Sequence, residues 1–145
     1  MVIKVQKLTE TAKVPYKGSA AAAGVDLYAD ILKEEFVYPG SRIAIPTGIA
    51  VEIPAGYAGF IFARSGKACK EGVRPSNCVG VIDSDYRGMV IVNVTCDDID
   101  PKRISPNERI AQLVILPVPE VEYQVVDYLE DSERGDGGFG HSGKF

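Results

Sequence analysis

Asp83 lies in the stretch Asn77-Cys78-Val79-Gly80-Val81-Ile82-Asp83-Ser84-Asp85-Tyr86-Arg87-Gly88, where polar side chains crowd the junction of two apolar runs. Val79–Ile82 leads in and Met89–Val94 leads out. Apolar, β-branched runs on either side of a Ser/Asp/Gly cluster predict a β-hairpin. A hairpin needs only turn formers there. An Asn, two carboxylates, a Tyr and an Arg at one mouth predict the floor and working edge of a small-molecule site. The competing reading is a turn that is polar and nothing more.

Three other stretches carry groups of similar kind. In Gly24-Val25-Asp26-Leu27, strand alternation puts Val25 and Leu27 on one face and Asp26 on the other. Asp26 then faces solvent, or it holds metal-bound water at a cleft. Ala63-Arg64-Ser65-Gly66 closes one strand and opens a short helix with Ser65 as its expected N-cap. Free N–H groups at a helix start favour an anion, and the guanidinium of Arg64 suits phosphate oxygens. Capping explains Ser65 but not Arg64. In Asn107-Glu108-Arg109-Ile110-Ala111-Gln112, Arg109 and Gln112 are donors at the edge of an element, or ordinary edge polarity. The tail, Arg134-Gly135-Asp136-Gly137-Gly138-Phe139-Gly140-His141-Ser142-Gly143, has glycines able to wrap N–H groups around phosphate. It lacks the Lys-Ser/Thr ending of a P-loop. It reads as a loose end or as an arm whose lone aromatic, Phe139, closes over a planar ligand.

The elements that must position these groups are short strands. Val2–Leu8 alternates, and apolar runs recur at Gly24–Tyr28, Phe36–Val37, Arg42–Ile45, Ile49–Ile53, Tyr57–Phe62, Val79–Ile82, Met89–Val94, Ile110–Val118 and Val121–Val126. Gly and Pro punctuate them, as in Pro39-Gly40 and Pro54-Ala55-Gly56. This pattern predicts an all-β jelly roll or β-sandwich. It has one short helix at about Ser65–Glu71, ended by Gly72. Ala20–Ala23 leaves no room for another. The chain of 145 residues predicts a single domain, with a flexible Gly-rich C-terminal arm from about Asp131 onward.

Composition narrows the partners. A net charge of −4 argues against sequence-independent nucleic-acid binding, which needs a basic face. It leaves room for an anionic small ligand held by local Arg and backbone N–H groups. No run is long enough for a membrane helix, and the start of the chain does not read as a signal peptide. Cys69, Cys78 and Cys96 are odd in number and lack metal spacing, so free thiols in a reducing compartment are expected, and with them a soluble, cytoplasmic protein.

Taken in order from Ala23 to Gly143, the sequence resembles the trimeric all-β dUTPases. Five motifs carry the resemblance: Ala23 to Leu27, Arg64 to Gly66, Gly80 to Gly88, Glu108 to Gln112, and Arg134 to Gly140. The resemblance implies hydrolysis of dUTP to dUMP and pyrophosphate with Mg²⁺, by in-line attack of water on the α-phosphorus. Asp83 matches the water-activating carboxylate, a group ionised at neutral pH and able to accept a proton. Asn77 and the backbone around Val81 and Ile82 match the uracil-reading segment. Ile91 is expected to line the same pocket, and Tyr86 matches the aromatic against deoxyribose. Arg64, Ser65, Gly66 and Gln112 match phosphate contacts. Asp26 matches the carboxylate that holds magnesium through water. Arg134 and Ser142 match γ-phosphate contacts of the closing arm, with Phe139 stacking on the base beside Gly140. Arg109 is assigned to structure. A homotrimer with shared sites is implied, one chain giving the first, second and fourth motifs, another the hairpin, the third the arm.

Two departures stand out: Ala63 where the family often has Pro, and Lys67 where it usually has an apolar residue. Lys67 is expected to add charge near the phosphates or to face solvent. Related alternatives are a dCTP deaminase-like or bifunctional enzyme of the same fold, and a non-catalytic nucleotide-binding regulator.

Overall fold

The computed structural model describes residues 1–138. Its elements run β1 (Lys4–Lys7), β2 (Val25–Tyr28), β3 (Glu35–Val37), β4 (Arg42–Pro46), β5 (Ile49–Glu52), β6 (Tyr57–Phe62), α1 (Ser65–Glu71), β7 (Val73–Pro75), β8 (Gly80–Ile82), β9 (Ile91–Cys96), β10 (Lys102–Ile104) and β11 (Arg109–Pro117). A four-stranded sheet has the order β2-β11-β6-β8, and a three-stranded sheet β4-β9-β7. The pairs β1-β5 and β3-β10 complete the framework. Every named ladder is antiparallel. The all-β expectation with one short helix holds.

Alternation builds the core. In β9 the side chains of Val92 and Val94 are buried while Ile91 and Asn93 are exposed. In β11, Ile110, Ala111 and Leu113 turn inward. These residues join Leu27, Ile45, Ile61, Val73 and Ile104 in one cluster drawn from both sheets. Burying a Val, Leu or Ile side chain fully contributes about 1.5–3 kcal/mol, so a core of this kind needs no disulfide. The cysteines are free, Cys96 buried and Cys69 and Cys78 exposed. The buried hydroxyl of Thr47 donates to the carbonyl of Val90 at 2.6 Å, which satisfies it and pins the start of β9.

Helix α1 ends where its sequence requires. Gly72 takes φ +66°, the left-handed conformation, and its N–H donates to the carbonyls of Ala68 and Lys67.

Two expectations are corrected and two strands are added. Val79–Ile82 and Met89–Val94 do not pair as a hairpin: β8 pairs with β6, and β9 pairs with β4 and β7 in the other sheet. The polar turn between them is too long for a tight two-strand connection, so the strands diverge. Val121–Val126 forms no strand and is exposed throughout, with Val125 97% exposed. Its alternation has no partner strand among the described residues. β7 and β10 were not anticipated. Each has three residues, and prolines at 75 and 101 mask them. No helix among the described residues is long and apolar enough to cross a membrane.

Candidate active site

Two groups of the expected residues come together, at opposite ends of β6. The first surrounds Asp26. β2 and β6 flank β11, with Gln112 in register with both Asp26 and Phe62. Phe62 ends β6, and the chain then turns through Ala63 and Arg64 into α1. Arg64 Nε donates to Asp26 Oδ1 at 2.8 Å, and an Arg109 terminal nitrogen donates to Oδ2 at 3.1 Å. Arg64 also donates to the backbone carbonyl of Arg109 at 3.1 Å. Gln112 Nε2 donates to the carbonyl of Ala63 at 2.9 Å. Asp26 is thus a shared anchor, its side chain 16% exposed, that fixes two guanidinium groups from different motifs. Charge-assisted bonds of this kind are the strong ones, and the planar fork keeps donors free for a ligand.

Ser65 and Gly66 follow directly and are exposed. Ser65 is not the N-cap. Arg64 holds that position, with extended backbone and no side-chain cap bond, since a guanidinium has no acceptor to offer the helix N–H groups; it donates to Asp26 instead. The hydroxyl of Ser65 is left on the surface. Arg109, assigned to structure from sequence, shares the Asp26 anchor. Lys67 does not face solvent; its side chain is 4% exposed and paired with Glu71 and Glu108.

The second group lies where β8 and β9 part. Val81, Ile82, Asp83, Tyr86, Met89 and Ile91 line a pocket of about 240 Å³. The loop holding it braces itself. Tyr86 N–H donates to the Asp83 carbonyl at 3.2 Å, and the Tyr86 hydroxyl donates to the Met89 carbonyl at 3.0 Å. A terminal nitrogen of Arg87 donates to the carbonyls of Ser84 and Tyr86 at 2.6 and 2.9 Å. β8 is an edge strand, so among the described residues the backbone groups on its outer side have no ladder partner. Asn77 is exposed in the turn before it, its carbonyl accepting from Val79 N–H at 2.7 Å. Met89 is a pocket residue that sequence reasoning missed; as an apolar member of a predicted strand it gave no signal.

Gly88 makes the pocket wall possible. A Cβ there would lie 2.5 Å from the Tyr86 hydroxyl oxygen and 2.7 Å from its ring carbon Cζ. Gly88→Ala is therefore expected to displace the Tyr86 ring and raise KM for the ligand roughly tenfold or more, with the melting temperature little changed, since the loop is exposed. Steady-state kinetics beside a thermal melt would check this; an unchanged KM would show that Tyr86 does not form the wall.

The two groups are far apart within a chain. Ile82 pairs with Gly59 near the start of β6, while Arg64 lies beyond its end. At a strand rise of about 3.3 Å per residue, Asp83 and Arg64 stand on the order of 15–20 Å apart. Arg134 lies in a turn of the tail, where its Nε donates to the Gly137 carbonyl at 2.6 Å. Phe139, Gly140 and Ser142 fall outside the described residues.

A pocket lined by four apolar side chains together with Tyr86 and the Asp83 carboxylate, and a pair of arginines gathered on Asp26 at a second surface, define an all-β protein with room for a small ligand and donors for an anion. Comparison with known proteins makes the class specific. The dUTPase family model matches residues 10–143, and the chain belongs to that family. It is 47% identical over 132 residues to a deoxyuridine 5'-triphosphate nucleotidohydrolase of Desulfitobacterium hafniense, covering 90% of this chain and 87% of that one. It is 45% identical to the protein of the same name from Syntrophotalea carbinolica, over 99% of this chain and 97% of the relative. Among solved structures, the dUTPase of Staphylococcus bacteriophage 80alpha with dUpNHpp matches with a TM-score of 0.89 at 30% identity, over 98% of each chain.

Proposed function

We propose that the chain hydrolyses dUTP to dUMP and pyrophosphate, at sites completed between copies of itself. The observation that carries this is the pocket where β8 and β9 part, which Asp83 and Tyr86 both line. The edge of β8 and the amide of Asn77 read the uracil edge, since an Asn amide both donates and accepts. Tyr86 packs on the sugar where a 2′-hydroxyl would collide. Asp83 takes a proton from water as the water oxygen bonds to the α-phosphorus. The bond from that phosphorus to its bridging oxygen breaks, and pyrophosphate leaves with the electron pair. Catalysis of such a transfer is mostly positioning and charge stabilisation. Arg64, Gln112 and the Ser65–Gly66 segment meet the phosphates, with Asp26 and Arg109 holding Arg64 in place.

Magnesium dependence is general to the family. Among the described residues no three His, Cys, Asp or Glu side chains gather into a metal cage. Asp26, whose carboxylate is the acidic group beside Arg64 and Arg109, is the residue that would reach the waters of a Mg²⁺ arriving on the substrate phosphates. When bound, the ion would neutralise phosphate charge.

A catalytic base must reach the attacking water within hydrogen-bond distance, about 3 Å. Asp83 and Arg64 of one chain are too far apart to serve one triphosphate. A homotrimer with shared sites resolves this, and the exposed apolar residues Val121, Tyr123, Val125, Tyr128 and Leu129 suit burial against a neighbour. The arm from about residue 131, with Arg134, Phe139, Gly140 and Ser142, would close over a site built by the other copies. The three free thiols fit a cytoplasmic setting.

Co-expressing Asp83→Asn and Arg64→Ala chains tests both claims together. Each variant alone is expected to be nearly inactive. In mixed trimers roughly a quarter of sites should draw an intact Asp83 and an intact Arg64 from different chains and recover activity. No recovery would place the site within one chain. Release of ammonia from dCTP in place of pyrophosphate from dUTP would overturn the hydrolase reading.

A further inference from the structure

We propose that Lys67 is a positioning residue for the triphosphate, acting through Glu108; the inference rests on the functional reading above. Lys67 lies in the first turn of α1, where no acidic side chain offsets the positive end of the helix. Its side chain is nonetheless buried. Burial disfavours its charged form, but hydrogen bonds and charge from Glu108 and Glu71 outweigh that and hold its pKa above the ordinary lysine value. The ammonium meets Glu71 Oε2 at 2.6 Å and pairs with Glu108 Oε1. The second oxygen of Glu108 accepts the backbone N–H of Ser105 at 2.8 Å, so that carboxylate is fixed from both sides.

What this pair connects gives it meaning. Glu108 is bonded in the chain to Arg109, which clamps Asp26, and its carbonyl accepts Ala29 N–H at 2.8 Å. Arg64 clamps the same Asp26. The first turn of α1 returns from Arg64 to Lys67, with the Arg64 carbonyl accepting Ala68 N–H at 2.9 Å. A closed circuit results: Lys67, Glu108, Arg109, Asp26, Arg64 and back. Ser65 and Gly66, the exposed residues assigned to the phosphates, are the two residues strung between its anchored cations. Arg64 fixes one end of that segment, and Lys67 fixes the other.

An apolar side chain could fill the same slot without loss of stability, because buried ion pairs often add little over a well-packed hydrophobe. What an ion pair adds is a defined position, and stability measurements alone would not report it.

The test uses the full chain, beginning with confirmation that the parent hydrolyses dUTP. Lys67→Met should keep the melting temperature and the affinity for dUMP, which lacks the outer phosphates, while KM for dUTP rises about tenfold through misplacement of the phosphate segment. Lys67→Arg should recover most of the loss. Glu71→Gln should change little, because Glu71 is half exposed and leads to no other part of the site. Lys67→Met combined with Glu108→Gln should be no worse than Lys67→Met alone. That double variant leaves no buried charge and carries the same comparison if the single one fails to fold. An unchanged KM for dUTP, or an equal loss for dUMP, would overturn the role of Lys67. A parent inactive on dUTP would instead sink the functional reading and this inference with it, and is seen before any variant is compared.

Discussion

Asp83→Asn is expected to lower kcat on dUTP by about 10²–10⁴ while leaving affinity for a non-hydrolysable analogue within a few-fold. The separation follows from how the residue is held. Its backbone is fixed by the Tyr86 N–H, and the loop is braced by Arg87 on the carbonyls of Ser84 and Tyr86. None of these bonds uses the Asp83 carboxylate. An Asn of the same shape therefore keeps the pocket wall and removes only the carboxylate proposed to take the proton. The apolar lining, Val81, Ile82, Met89 and Ile91, is untouched. Calorimetric titration with the analogue and single-turnover kinetics would separate the two quantities. Parallel loss of binding and turnover would make Asp83 a recognition residue and leave the attacking water without a base.

What the sequence made legible follows from the range of each signal. β6 and α1 were read at their observed bounds, because each rests on local chemistry: a six-residue apolar run in one case, a Gly72 stop in the other. Pairing is non-local, and there the reading failed. The apolar runs Val79–Ile82 and Met89–Val94 say that each is a strand but not which strand it meets. The six residues between the runs, longer than the preferred two-residue turns, were the available warning. The divergence that breaks the hairpin is also where the pocket lies, so the error fell at the candidate site. Lys67 was misread for a related reason. Its spacing from Glu71 was visible as an i,i+4 pair, but Glu108 reaches it only through the fold. Arg109 likewise reaches Asp26 across an interval of chain that no periodicity spans. Val121–Val126 shows the converse. Its alternation is real, and the chain's described residues offer it no partner.

Removing Ser132 to Phe145 is expected to leave the fold intact and to lower kcat/KM for dUTP by about 10² or more. The stability half of that expectation comes from the contacts. Val118 N–H donates to the Gly56 carbonyl at 2.8 Å, tying the end of β11 to the body. Beyond it, the hydrogen bonds among the described residues are internal to the turn: Gly135 N–H to the carbonyl and hydroxyl of Ser132, Gly137 N–H to the Arg134 carbonyl, and Arg134 Nε to the Gly137 carbonyl. Cutting at Ser132 therefore takes away no brace of the core, and the melting temperature should shift little. The catalytic half comes from what the rest of the chain lacks. In the 240 Å³ pocket, Val81 and Ile91 are about half exposed, and among the described residues the tail supplies none of the lining. Water then has free access to a reaction whose charge stabilisation is strongest where bulk solvent is kept out. An arm bringing Phe139 over the base and Arg134 to the outer phosphates would supply both closure and charge. Phe139→Ala should reproduce part of the loss through the base, and Arg134→Ala part through the phosphates. Truncated protein with a parental melt and parental kcat/KM would show the glycine-rich end to be passive, and would leave the site to be completed by two chains instead of three.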